Sequence, residues 1–271
     1  MIASVRILPG RLGRRPRRTV GSILAEPVRT TTSDGVQLAG IRVAGPTGRT
    51  FVIGHGMSHS TAERSTRQVI DRLAGHGTVI ALDFRGHGGS GGRSSVGGDE
   101  IHDLDAAVAL ARSQSDAPVV AVGFSMGGSV VLRQAALGAH RPDAVIAVSA
   151  PSRWYIRESG PMRRVHWLLE HPLGPLVGRW VGIRLGKPWA EVPPSPLETI
   201  GGITAPLLLV HGTADPYLAP SHGIDLQRAC AGHAELWLEP GMGHAESGTT
   251  AELIDRIAGW GIEAIGAGDQ R

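Results

Sequence analysis

Ser125 lies in Gly123-Phe124-Ser125-Met126-Gly127, a Gly-x-Ser-x-Gly arrangement able to present a serine hydroxyl as a nucleophile on a sharp turn. A serine hydroxyl attacks poorly near neutral pH and needs a base to take its proton. Of twelve histidines, His244 is best placed, in Gly241-Met242-Gly243-His244-Ala245-Glu246; His222 is the weaker rival. Asp215 closes the run Val210-His211-Gly212-Thr213-Ala214-Asp215 and would orient the imidazole. Asp83 is the alternative acid, but it precedes the serine, whereas Ser125, Asp215 and His244 follow the chain order nucleophile, acid, base. Such a set performs two-step acyl transfer, with the developing oxyanion held by backbone N–H groups. The expected donors are Met126, just after the serine, and Met57, in the run Gly54-His55-Gly56-Met57. His55 either braces that loop or borders the substrate.

The pattern alone is weak. With 39 glycines and 19 serines, chance supplies about 0.4 matches, and a second match exists at Gly88-Gly89-Ser90-Gly91-Gly92. Context separates the two. Ser125 follows the apolar run Val119-Val120-Ala121-Val122 and opens a helical stretch from Gly127 to Leu137, whose N-terminus would aim free N–H groups at the reacting oxygen. Ser90 sits in a glycine-rich loop, so it reads as a decoy.

These residues need a scaffold that brings their loops together. Val28 to Thr32 and Val36 to Val43 flank Ser33-Asp34-Gly35 and predict a hairpin. The runs 50–53, 78–82, 119–122, 144–148 and 207–210 are short, apolar on both faces and rich in β-branched residues, as buried parallel strands must be. A last strand is predicted over 234–238. Helical stripes alternate with them: Val69, Ile70 and Leu73; Ile101, Leu104, Ala107, Val108 and Ala111; and Leu253, Ile254, Ile257 and Trp260. Strand alternating with helix predicts an α/β fold, a mostly parallel sheet with helices on both faces and its site at the carboxyl ends of the strands.

The alternation breaks over 151–203, which has no strand candidate, many prolines and four of the six tryptophans: Trp154, Trp167, Trp180 and Trp189. This reads as a lid insertion dividing a core of 27–150 and 204–271. Its tryptophans, with Trp154, Trp167 and Trp180 as pocket candidates, either line an acyl pocket or fasten the lid to the body. Leu173, Leu176, Val177, Trp180 and Val181 have helical spacing there.

Composition sets the bounds. The chain has 271 residues, 41% of them hydrophobic, enough for one large domain. Residues 1–20 hold six arginines (Arg6, Arg11, Arg14, Arg15, Arg17 and Arg18) and no acid, so the net charge of +3 comes from a basic arm, placed at 1–26, on a slightly acidic body. The arm reads as a solvated tail, with peripheral contact to phosphate or anionic lipid as the alternative. The apolar stretch after Arg18 is too short for a secretory or twin-arginine signal, and no run approaches the ~18 residues of a membrane span. Cytoplasm is therefore the expected location. The single Cys230 excludes an internal disulfide, and no His-x-x-x-His or His-Glu-x-x-His spacing on a helix points to a metal.

In order, His55-Gly56, Asp83-Phe84-Arg85-Gly86-His87-Gly88-Gly89-Ser90, the turn around Ser125, His211-Gly212-Thr213-Ala214-Asp215 and Gly243-His244 resemble the α/β-hydrolase superfamily, in particular its esterase, lysophospholipase and monoacylglycerol-lipase-like branch. The resemblance covers residues 27–271. It implies eight strands, a lid after the sixth, no cofactor, and an architectural role for the segment Asp83 to Ser90. The expectation is a serine hydrolase acting on a small carboxylic ester with an apolar acyl group, without nucleic acid or integral membrane segment and with no oligomeric state implied. Thioesterase or peptidase activity on the same three residues, or a catalytically silent ligand-binding protein, are the alternatives.

Overall fold

The computed structural model describes residues 19–20 and 23–268; the six arginines of the expected arm lie outside them. Among the described residues nine strands form one sheet: β1 (Thr19–Val20), β2 (Ile23–Thr31), β3 (Gln37–Val43), β4 (Thr50–Gly54), β5 (Thr78–Leu82), β6 (Val119–Phe124), β7 (Ala144–Val148), β8 (Leu207–Gly212) and β9 (Ala234–Glu239). Their spatial order is β1-β2-β3-β5-β4-β6-β7-β8-β9. The first pairings, through β3 with β5, are antiparallel, and every pairing from β5–β4 to β8–β9 is parallel. The architecture is thus the expected eight-stranded, mostly parallel sheet plus a two-residue edge strand. The sheet starts earlier than expected. β2 begins at Ile23 and carries Pro27 in register with Ile41. A proline lacks the N–H of a ladder bond but is tolerated near a sheet edge, and among the described residues β2 has an outer partner only at Ile23 and Leu24.

Helices cover both faces, because strands β4 to β8 are apolar on both sides and must be buried on both. On one face, α1 (Arg64–Leu73) and α9 (Ala251–Gly268) pack Val69, Ile70, Leu73, Ile254 and Ile257 against Phe51, Val120 and Ile146. On the other, α2 (Glu100–Gln114), α3 (Met126–Leu137) and α7 (Ser221–Ala229) pack Leu104, Val108, Val130, Leu132 and Leu226 against Val52, Ala121 and Leu209. A short α8 (Ala245–Gly248) follows β9.

Between β7 and β8 the chain makes α4 (Gly160–Glu170), α5 (Gly174–Trp180), α6 (Pro196–Thr199) and a 3-10 turn (Ile200–Gly202). This insert is stitched to the loop after β5: Arg184 N–H donates to Gly86 O, Ser94 N–H to Arg184 O and Gly186 N–H to Ser94 O, each at 2.8 Å.

The turn from β6 into α3 depends on close backbone approach. A Cβ on Gly123 would stand 2.2 Å from Gly127 O, and one on Gly127 would stand 2.1 Å from Gly54 O and 2.7 Å from His55 O. All of these neighbours are backbone atoms and cannot swing aside. Gly127→Ala is therefore expected to destabilise the protein by about 1–3 kcal/mol or more in denaturant unfolding; an unchanged midpoint would contradict this account of the turn.

Candidate active site

Ser125 joins β6 to α3 with a backbone φ of 51°, a left-handed conformation that side-chain-bearing residues rarely adopt. Its N–H donates to Val148 O at the end of β7, at 2.9 Å. The hydroxyl lies 2.8 Å from His244 Nε2, and His244 Nδ1 lies 2.7 Å from Asp215 Oδ2. An ionised carboxylate can only accept, so Nδ1 carries the proton and Nε2 presents its lone pair to the Ser125 hydroxyl. Asp215 Oδ1 accepts from Tyr217 N–H at 2.8 Å and Leu218 N–H at 3.0 Å. Burial pushes the Asp215 carboxyl up, but the hydrogen bond and charge of His244 together with these two N–H groups outweigh it and hold the group below the usual carboxylate range. The Tyr217 ring stacks on the His244 ring at 4.6 Å and limits its rotation. The structure thus brings Ser125, His244 and Asp215 into one hydrogen-bonded chain, although 119 and 29 residues separate its members.

The Gly56–Met57 stretch is fixed from three sides. His55 Nδ1 donates to Gly56 O at 2.8 Å while His55 Nε2 accepts from Phe84 N–H at 2.9 Å. Because a trans peptide points its C=O and N–H in opposite directions, tying Gly56 O inward turns the Met57 N–H to the other side. His87 Nε2 holds Met57 O at 2.5 Å. Gly56 N–H donates to Glu246 Oε1 at 2.7 Å. The second expected donor, Met126 N–H, is the first of α3 and lacks an intrahelical acceptor by its position. Burial, with the neighbouring His87, lowers the pKa of His55 to about 3, so its ring is a neutral brace.

Glu246 is the residue that sequence reasoning missed. It is buried, follows His244 by two positions, and ties the loop of the base to the loop of Met57. A carboxylate so close to the histidine, in a run without a basic partner, was the available signal.

Ser125, Met57, Met126, His244 and Tyr217 open into a cavity of about 510 Å³, whose far wall is Trp154, Met162, Val165, Leu169, Pro172 and Trp189 from the insert. Of the four expected pocket residues only Trp154 lines this cavity. His55 is turned into the body, as described. Trp167 stacks on His171 at 4.5 Å and is 49% exposed; Trp180 is 86% exposed. The helical spacing around Trp180 reads as a core face, but α5 packs through Gly174 and Gly178: a Cβ on Gly174 would stand 1.9 Å from Leu168 O, and one on Gly178 would press on Ile183 O at 3.1 Å. Its bulky residues therefore turn outward.

The rivals are occupied elsewhere. His222 Nδ1 lies 2.8 Å from Ser152 Oγ, and both residues are buried. Asp83 accepts from Thr61 N–H and Gly89 N–H, at 2.7 and 2.8 Å. Ser90 Oγ hydrogen-bonds Ala39 N–H at 2.9 Å and Asp83 O, closing the glycine loop onto the sheet. Among the described residues, no group of three or more His, Cys, Asp or Glu could hold a metal ion, and no helix is long and apolar enough to cross a membrane.

The fold has counterparts among known proteins. Residues 51–255 match the Alpha/beta hydrolase family. An uncharacterized protein of Mycobacterium tuberculosis is 28% identical over 240 residues, covering 83% of this chain and 72% of that protein. The fold is similar to that of the esterase Pf2001 from Pyrococcus furiosus, with a TM-score of 0.72 and 25% identity over 92% of this chain and 97% of that one. The esterase RhEst1 from Rhodococcus sp. ECU1013 is similar at a TM-score of 0.66 and 19% identity, over 88% of this chain and 99% of that one.

Two buried histidines make stability depend on pH. Burial is the main cause that lowers His55 to about 3 and His222 to about 4. Between their folded values and the unfolded value near 6.5, the unfolded chain binds protons that the folded chain does not, so stability falls as pH drops through that window. Denaturant unfolding from pH 7 to 4.5 should show this decline, and His222→Gln should lessen its slope by about 1.4 kcal/mol per pH unit. A slope identical in the variant would contradict the buried neutral His222.

Proposed function

The chain belongs to the alpha/beta hydrolase family, and on that premise we propose that it is a serine hydrolase that cleaves a carboxylic ester with an apolar acyl group. The observation that carries this reading is the Ser125–His244–Asp215 chain opening into a cavity walled by apolar side chains. In the first step the Ser125 hydroxyl attacks the ester carbonyl as its proton passes to His244 Nε2. Asp215 stays ionised, keeps the imidazole in the required tautomer and stabilises its cation. The Met57 and Met126 N–H groups receive the oxyanion, and donors fixed in advance cost no reorganisation at that moment. Collapse of the tetrahedral intermediate expels the alkoxide, which takes the proton from His244 and leaves as the alcohol. Water then attacks the acyl–Ser125 ester, with His244 as base, and releases the carboxylic acid.

The insert acts in this reading as a lid. Trp154, Met162, Val165, Leu169 and Trp189 give an acyl chain an apolar wall, and their transfer from water to that wall rather than any polar contact supplies its affinity. Trp154 is held for this by donating Nε1–H to Pro193 O at 2.7 Å and by packing on Trp189 at 5.1 Å.

Kinetics with p-nitrophenyl esters of increasing acyl length test the proposal. kcat/KM should rise from acetate toward medium chains. Ser125→Ala and Asp215→Asn should each lower kcat by about 10⁴. Glu246→Ala, which releases the Gly56 N–H, should lower kcat about 10–100-fold with little change in KM. Full ester turnover in Ser125→Ala would end the proposal.

A further inference from the structure

The insert turns apolar side chains to two opposite sides. Met162, Val165 and Leu169 of α4 face the cavity, while Trp167, Leu173, Leu176, Trp180 and Val181 stand exposed on the outside of α4 and α5. Scattered exposed apolar residues are ordinary, but these are concentrated: of the eleven large ones exposed among the described residues, seven fall within 151–203. The same stretch is strongly basic. Between Arg153 and Lys187 the chain has seven basic and two acidic residues, a net +5, against +3 for all 271 residues. Among the described residues, Glu158 and Glu170 pair with Arg153, Arg157 and His166. Of the remaining cations, Arg163 and Arg164 share the outer side of α4 with Trp167 at three- and four-residue spacing, and Arg179 adjoins Trp180.

We infer that the outer face of α4 and α5 docks on an anionic lipid surface. Tryptophan and leucine side chains enter the headgroup boundary while arginines keep their charge at the phosphates. Exposed apolar side chains set beside arginines suit the headgroup boundary of an anionic bilayer. A second copy of the chain would set one positive patch against another. Residues 1–18, with six arginines and no acid, carry the same sign, so neither of these covers the face. α4 and the start of α5 carry this face on one side and line the cavity on the other, through Met162, Val165, Leu169 and Pro175. Docking would therefore bring a lipid-borne ester to the wall of the cavity that holds Ser125; that consequence rests on the hydrolase reading, whereas docking itself does not.

Sedimentation with vesicles tests it, using the full chain, phosphatidylcholine alone, and phosphatidylcholine with about one third phosphatidylglycerol. The protein should pellet with the anionic vesicles and be released by salt. Leu176→Ser with Trp180→Ser, and separately Arg164→Glu with Arg179→Glu, should each weaken the partition coefficient about tenfold at an unchanged thermal unfolding midpoint. All four residues are exposed, and the arginine-rich N-terminus is common to every variant, so the difference reads the insert alone. Undiminished binding in both variants would assign the attraction to another surface and overturn the inference. Absence of binding to anionic vesicles would overturn it too, as would loss of a dimer in the variants on size exclusion. Binding is scored without substrate, so a protein that docks but cleaves no ester would count against the hydrolase reading only.

Discussion

A residue with a side chain held at a φ of 51° costs about 1–3 kcal/mol of backbone strain, and Ser125 can adopt that conformation only because the surrounding fold determines it. β6 delivers the chain from the centre of the sheet, its N–H is fixed to Val148 O, and α3 begins at the next residue. Contacts at Gly123, Gly127 and Gly54 let the two elements meet at backbone distance. The rest of the site follows from that turn. It lifts the hydroxyl clear of the sheet, and it leaves the first N–H of α3 without a helical acceptor beside it.

Around this fixed point, two loops are aligned by buried hydrogen bonds. His244 is held by Asp215 and Tyr217, and two residues on, Glu246 grips the Gly56 N–H. The base and the Met57 loop are thereby tied together, and a shift in one is transmitted to the other. Glu246 Oε2 has no hydrogen-bond partner among the described residues. A half-satisfied buried carboxylate is an expensive brace, which fits a site where placement matters more than local stability.

The scaffold was readable because its strands are short and apolar on both faces and its helices carry one-sided stripes; both signals survive in any context that buries them. The separation of Ser125 from Ser90 was readable for the same reason, since one serine follows a strand and the other a glycine loop. Readability failed where packing rather than period decides. Leu173, Leu176 and Trp180 have the spacing of a core face, but glycines take the buried side of α5 and reverse it. β2 extends through Pro27 back to Ile23, since a proline forbidden in a central strand is tolerated near an edge. Glu246 escaped notice because its role depends on Gly56, 190 residues away. No local pattern encodes such a pairing.

The central claim is that Ser125 is an activated nucleophile, and covalent capture tests it most directly. The purified protein would be incubated with a fluorophosphonate probe and the modified peptide located by mass spectrometry, with Ser125→Ala and His244→Ala as controls. The account predicts one label, on Ser125, absent from the first variant and strongly reduced in the second. A folded protein that takes no label, or one labelled at Ser90 instead, would contradict it.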